Sequence, residues 1–247
     1  MDEPETREQN LLLADISPSL LLEGDTPRLI DEWQLAPKLW DAVRFTVDHR
    51  EGKGQFILTG SSVPADISKI SHTGTGRFAW LTMRNMSLYE SGESNGQVSL
   101  KDIFDQKENI QGINMLNIKD LSFLVCRGGW PDILDDNSDV ALETAYDYLD
   151  GIVNSDISAV DNVRRNPERA RRIMRSYARN QGSQISMTQI AKDISTNELE
   201  FTDETVSSYI KALKNIFVIE DMPSWNPNLR SKTSIRTSDT RDFTIPL

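Results

Sequence analysis

The stretch Arg28-Leu29-Ile30-Asp31-Glu32 places a short apolar run directly before two adjacent acids. Such a run is typical of the end of a buried strand. Residues 37–50 then carry apolar side chains at helical spacing, with Pro37 near the start, where proline is tolerated. A second buried strand is indicated at residues 55–58. A strand, a helix and a strand in this short span predict a parallel βαβ unit and an α/β fold class.

Two acids at the end of a buried strand have the form of a Walker B element. In such an element Asp31 is the candidate to hold the water shell of a Mg²⁺ ion, and Glu32 is the candidate to polarise the attacking water. An ordinary strand end can show the same two apolar residues before Asp-Glu. The pattern therefore predicts a metal-assisted catalytic site, with a plain strand-to-loop turn as the alternative.

Small polar residues follow the second strand, at the sheet edge where the two acids are expected. Thr59 is the natural residue to lie near a γ-phosphate, with Ser61 and Ser62 next to it. The alternative is that residues 59–61 only form a tight turn. We therefore predict that Thr59 and Ser61 contact the nucleotide.

Arg77 lies in a Gly-rich loop directly before residues 78–83, which we predict to form a third strand. An arginine in this place could reach a phosphate as an arginine finger does, which makes Arg77 a second catalytic candidate. An ordinary ion pair is the alternative. His72 could touch the same loop, with a polar surface position as its alternative.

The overall composition excludes several classes of protein. Hydrophobic residues make up 38% and charged residues 26% of the 247 residues, which is typical of a globular chain and not of a disordered one. The acidic N-terminus does not have the form of a secretory signal, and no apolar run is long enough to span a membrane. Cys126 is the single cysteine, so an internal disulfide is excluded and a cytoplasmic location is expected.

Charge is spread unevenly along the chain, whose formal net charge is −11. Residues 164–179 carry seven arginines against one glutamate. A helix is predicted from residue 166 to about 180. Two further helices at 187–194 and 203–215 and a strand at 216–220 follow it. This order predicts a winged helix-turn-helix, whose second helix would enter a DNA groove while arginines hold phosphates.

DNA is therefore a candidate partner of this region. The residues that we predict to contact it are Arg171, Arg172, Arg175 and Lys211. Further charge could come from Arg164, Arg165, Arg169 and Arg179. Two alternatives stay open, because the predicted recognition helix is neutral overall. The arginines could form a solvated helix face, or the winged helix could bind a protein.

Six stretches of the chain stand in an order and spacing that resemble one known family. They are RLIDEWQ at 28–34, GQFILTGSS at 54–62, HTGTGR at 72–77, MSLYE at 86–90, RGGWP at 127–131 and YIKALKNIFVIEDMPSW at 209–225. Together they resemble the bacterial AAA-type ATPases that carry a C-terminal domain of unknown function numbered 4143 (DUF4143). The resemblance covers residues 8–244. It implies a P-loop ATPase core that binds ATP and Mg²⁺, followed by helical and winged-helix elements.

On this resemblance the chain divides into four parts. They are a partial AAA-type ATPase core at residues 1–95, an all-helical linking region at 96–163, a winged-helix-like domain at 164–225 and a shortened C-terminal extension at 226–247. The endonuclease-like portion that family members carry at their C-terminal end is missing from this sequence. We expect the chain to be short at both ends of the family's pattern.

The nucleotide-binding end departs from the family most. A phosphate-binding loop has the sequence Gly-x-x-x-x-Gly-Lys-Ser/Thr, because backbone N–H groups and the lysine wrap the phosphates. No such stretch occurs in the sequence, and only 30 residues precede Asp31. We therefore expect a core that is inactive alone and binds ATP weakly or not at all. The alternatives are a DNA-binding or adaptor module, and a subunit that self-associates or is completed by a P-loop-bearing partner.

Overall fold

The computed structural model describes residues 4–64, 70–71, 73–196, 199–223 and 239–244. The chain forms two compact units, each assembled from separate segments. The first unit consists of Met1–Thr82, Asp156–Arg165 and Ser208–Phe217, and the second of Met83–Ser155, Asn166–Ser207 and Val218–Leu247. The division into four parts drawn from the sequence stays a prediction.

The first unit contains the predicted βαβ arrangement. Its elements are α1 (Arg7–Ile16), a 3₁₀ turn (Pro18–Leu22), β1 (Arg28–Ile30), a 3₁₀ turn (Trp33–Leu35), α2 (Lys38–His49) and β2 (Phe56–Leu58). The two strands pair in parallel, with Arg28 opposite Phe56 and Ile30 opposite Leu58. The α/β class and the short parallel sheet are thus confirmed for this part of the chain.

The core of the first unit lies between α2 and one face of this sheet. Leu39, Trp40 and Val43 lie on the buried side of α2, as the helical spacing of apolar residues requires. Ile30 of β1 and Leu22 are buried in the same cluster. Each large apolar side chain buried in this way stabilises the fold by about 1.5–3 kcal/mol. The packing holds the carboxyl ends of β1 and β2 in place.

Residues 78–83 do not form a strand, so the predicted third strand is wrong. Their aromatic rings stack on α2 instead. The Phe78 ring lies 3.8 Å from that of Trp40, and the Trp80 ring lies 5.3 Å from it on centroids. Gly74 permits this approach, because its φ is +68° and a Cβ there would lie 2.4 Å from the Phe78 ring. An apolar and aromatic run that fits a strand is held here by ring contacts, not by backbone pairing.

The second unit begins with three helices, α3 (Leu100–Phe104), α4 (Ile118–Arg127) and α5 (Ser138–Gly151). A capping box at Asn117 starts α4, and Gly128 ends it with a φ of +77°. Gly129 lies so close to the backbone of Met86 that a Cβ would meet its carbonyl at 2.2 Å. These two glycines explain why the helix ends within the stretch RGGWP at residues 127–131. After α5 follow a π-helical turn (Ile152–Asp156) and the short α6 (Ile157–Ala159), which belongs to the first unit.

The C-terminal elements are α7 (Pro167–Arg179), α8 (Met187–Ile194), α9 (Asp203–Asn215), β3 (Ile219–Met222) and β4 (Thr240–Phe243). Strands β3 and β4 pair antiparallel, and an isolated bridge joins Ser183 to Arg241. The strand predicted at 216–220 begins later, because Phe217 adopts a left-handed φ of +59° in a turn. No helix in the described ranges is both long and apolar enough to cross a membrane.

Candidate functional site

The candidate site lies at the carboxyl ends of β1 and β2, which a parallel sheet brings to one edge. The Thr59 hydroxyl donates a hydrogen bond of 2.6 Å to Oδ1 of Asp31. The Ser61 hydroxyl donates one of 3.1 Å to Oε2 of Glu32. The structure therefore brings together the predicted metal ligand, one predicted catalytic residue and both predicted nucleotide contacts.

Backbone bonds continue past the strand ends and fix this arrangement. The Thr59 N–H donates to the Ile30 carbonyl at 3.0 Å, and the Trp33 N–H donates to the Thr59 carbonyl at 3.1 Å. Glu32, which lies between Ile30 and Trp33 in the chain, has a left-handed φ of 52°. For a residue other than glycine such a conformation costs on the order of 1–3 kcal/mol, and strain of this kind is concentrated at functional sites.

Gln34 is a member of the site that the sequence analysis missed as a functional residue. Its Nε2 donates to Oε2 of Glu32 and, at 3.3 Å, to the Ser61 hydroxyl. Gln34 closes the stretch RLIDEWQ on which the family resemblance partly rests. Its place in that stretch was a signal that Gln34 could be functional. The turn after β1, which brings its side chain to Glu32, could not be predicted from the stretch.

Arg77 pairs with Asp48 near the C-terminal end of α2. Its Nε donates to Oδ1 of Asp48 at 2.9 Å, and Arg44 donates to the other carboxyl oxygen at 3.2 Å. The hydrogen bond from Arg77 is the main cause that holds the pKa of Asp48 below its ordinary value. Arg77 thus forms the ion pair given above as the alternative, and its role as an arginine finger stays a prediction. His72 lies outside the described residues.

The carboxylates of Asp31 and Glu32 fit one half of a Mg²⁺-nucleotide site. In nucleotide-hydrolysing sites Mg²⁺ is typically bound by one or two carboxylates together with waters and substrate phosphates. The part of the chain that the structure describes holds no group of three or more acids, histidines or cysteines suited to a metal ion by themselves. The donor set therefore fits an ion that phosphates help to hold. The sequence has no phosphate-binding loop for the other half.

Arg165, which we expected to add positive charge for DNA, is a buried structural residue. Its guanidinium donates to both carboxyl oxygens of Asp161, at 2.6 and 2.8 Å. It also donates to the carbonyls of Ile157, at 2.7 Å, and Ser208, at 3.3 Å. Its side chain is only 4% exposed. The expectation for this residue is wrong, because local carbonyls and a carboxylate satisfy its charge inside the fold.

The other arginines of this segment are in part paired with acids. Arg171 pairs with Asp150, Arg172 with Glu168 at 2.8 Å, and Arg179 with Asp193 at 3.3 Å. Arg175 and Lys211 are exposed. Three of these arginines thus each have an acid beside them, and the four predicted DNA contacts stay predictions.

Two family models match the chain. Residues 1–92 match the AAA domain, and residues 118–241 match a domain of unknown function, DUF8612. No curated protein and no solved structure matches. The first match confirms the AAA-type part of the resemblance described above. The resemblance to DUF4143 stays a prediction, because the model that matches the C-terminal part is a different one.

Proposed function

We propose that the edge of β1 and β2 is the catalytic side of an ATP-hydrolysing site. The chain belongs to the family defined by the domain of unknown function DUF8612. The basis of the proposal is the AAA domain that its first 92 residues match. The observation that carries the proposal is the 2.6 Å hydrogen bond from Thr59 to Asp31. It links the ends of two parallel strands through a polar pair, at the edge where ligands of α/β sheets bind.

Each residue of the edge has a distinct role in this proposal. Asp31 holds the water shell of Mg²⁺, and Glu32 accepts a proton from the attacking water. Thr59 orients the Asp31 carboxylate and lies next to the γ-phosphate, with Ser61 holding Glu32 from the other strand. Bound Mg²⁺ would neutralise the negative charge that develops on the phosphates.

We further propose that this chain does not hold a nucleotide well by itself. Backbone N–H groups and the lysine of a phosphate-binding loop supply most of the contacts to the β- and γ-phosphates. The sequence contains no such loop. A P-loop-bearing chain that docks at this edge would complete the site.

An ATPase assay of the chain alone tests the proposed inactivity, with Glu32→Gln as the matched control. Because no loop holds the triphosphate, we expect both proteins to release phosphate at the same background rate. Gel filtration of the same samples shows whether the chain self-associates. Turnover that Glu32→Gln abolishes would support the role of Glu32 and contradict the inactivity of the chain alone.

A second candidate function is a winged-helix interaction module in the C-terminal half. The observation that favours it is the chain order α7, α8, α9, β3 and β4, together with the isolated bridge between Ser183 and Arg241. The ion pairs of Arg171, Arg172 and Arg179 favour a protein partner over DNA, because paired arginines contribute less to phosphate binding.

Fluorescence anisotropy with a labelled duplex separates these two partners. For a protein-binding module we expect titrations to stay flat at low salt up to protein concentrations of about 10⁻⁴ M, where non-specific DNA binding is typical. Arg175→Glu is the informative variant, since the arginine is exposed and has no ion pair within the described ranges. Binding that falls steeply with salt and is weakened by Arg175→Glu would instead establish DNA as the partner.

A further inference from the structure

Three side chains at the sheet edge form a closed ring of hydrogen bonds. Glu32 accepts through Oε2 from Nε2 of Gln34 and from the hydroxyl of Ser61, and Gln34 also donates to Ser61. Both bonds to the carboxylate fall on the same oxygen. Among the described contacts, Oε1 of Glu32 is therefore the oxygen left to accept a proton from water.

The orientation of the Gln34 amide follows from its surroundings. Its Oε1 is buried and has no hydrogen-bond partner within the described part of the chain. A rotated amide would bring Oε1 against the Glu32 carboxylate, and two acceptors repel each other. A buried acceptor without a donor is unfavourable. The amide therefore keeps this orientation because of its bonds to Glu32 and Ser61, and not because its oxygen is satisfied.

Gly60 leaves the space that the Gln34 amide occupies. A Cβ at this position would lie 2.2 Å from Oε1 of Gln34 and 3.4 Å from the Trp33 ring. Gly60 is not among the glycines with positive φ, so what a side chain there would meet is the movable end of Gln34 and not a strained backbone. Alanine at this position would force the Gln34 amide away from Glu32.

We propose that Gln34 is a positioning residue that holds Glu32 by Oε2 and presents Oε1 to the attacking water, and that Gly60 is required to give its amide room. The role of Glu32 in this inference rests on the proposed ATPase function. The ring itself does not, because it exists without a nucleotide.

The inference is tested by NMR on the full chain with ¹⁵N-labelled glutamine side chains, without nucleotide. A single hydrogen bond to a charged group slows exchange of the Gln34 amide protons with water by about tenfold relative to exposed Gln181. We expect Gly60→Ala and Glu32→Ala each to raise exchange at Gln34 toward the rate at Gln181. Gly151→Ala is the matched control, because a Cβ at Gly151 meets nothing within 4 Å.

A second signal reports on Glu32 itself. With ¹³C-labelled glutamate, Gln34→Leu is expected to shift the carboxyl resonance of Glu32. The thermal midpoint of this variant is expected to equal that of the parent chain. The variant therefore keeps the test informative if Gly60→Ala fails to fold. Equal exchange at Gln34 and Gln181 in the parent chain, or a Glu32 resonance that Gln34→Leu leaves in place, would overturn the inference. Failure of the ATPase proposal would leave both signals unchanged.

Discussion

Replacing Trp40 with alanine is expected to lower the free energy of unfolding of the first unit by about 3–5 kcal/mol. Trp40 is 4% exposed and lies at the centre of an aromatic group. Its ring contacts those of Trp33, Phe78 and Trp80 at centroid distances of 5.2, 3.8 and 5.3 Å. Truncation removes the buried area of the ring and leaves a cavity. A loss of this size is a large part of the roughly 5–15 kcal/mol that stabilises a typical domain.

Urea denaturation followed by circular dichroism measures this loss. Trp80→Ala is the matched control, because it deletes the same ring from a position that is 77% exposed. We expect the control to cost about 0.5–1.5 kcal/mol, the contribution of one stacked aromatic pair. Equal effects of the two variants would show that Trp40 is not the centre of this core.

Replacing Arg165 with methionine is expected to cost about 1–3 kcal/mol, the range for leaving a buried hydrogen-bonding group without its partner, because the Asp161 side chain left behind is 31% exposed. The variant leaves the carboxylate of Asp161 without its bidentate partner and the Ile157 carbonyl without a donor. Arg164→Met is the control, since this neighbour is exposed and is expected to change stability by less than about 0.5 kcal/mol. Urea midpoints of the two variants give the comparison.

Arg165→Met is also expected to change how the stability of the folded chain depends on acidic pH. The hydrogen bond from Arg165 is the main cause that lowers the pKa of Asp161 in the folded chain. A lowered pKa contributes stability above the ordinary pKa of aspartate, near 3.9, and this contribution is lost as pH falls through the folded value. Arg165→Met should therefore lose less stability than the parent chain between neutral and strongly acidic pH. An identical pH dependence in both proteins would contradict this assignment.

The helices were predictable where an N-cap residue and the helical spacing of apolar residues indicate the same starting point. Asn166 accepts from the Arg169 N–H, and Ser186 forms a capping box with Gln189, so α7 and α8 begin where the sequence indicates. The two strands were predictable for a similar reason, because each is a short apolar run that ends in polar residues. Parallel pairing then brings Asp31 and Thr59 to one edge.

Other features depend on contacts that no local pattern carries. Residues 78–83 fit a strand, but the stacking of Phe78 and Trp80 on Trp40 decides their conformation. Arg165 belongs to a basic run, yet it is buried against the carboxylate of Asp161 and the carbonyls of Ile157 and Ser208. Gln34 reaches Glu32 only because the backbone turns sharply after β1. The periodicity of apolar residues and the composition do not show which of these residues meet in the folded chain.

We propose that the chain carries the carboxylate side of an ATPase site without the loop that holds the phosphates. Isothermal titration of the full chain with Mg-ATP tests it most directly, with Asp31→Asn as the control. We expect a dissociation constant weaker than about 1 mM, equivalent to less than about 4.1 kcal/mol of binding free energy. A micromolar constant that Asp31→Asn weakens would contradict it, because it would show a complete nucleotide site in this chain.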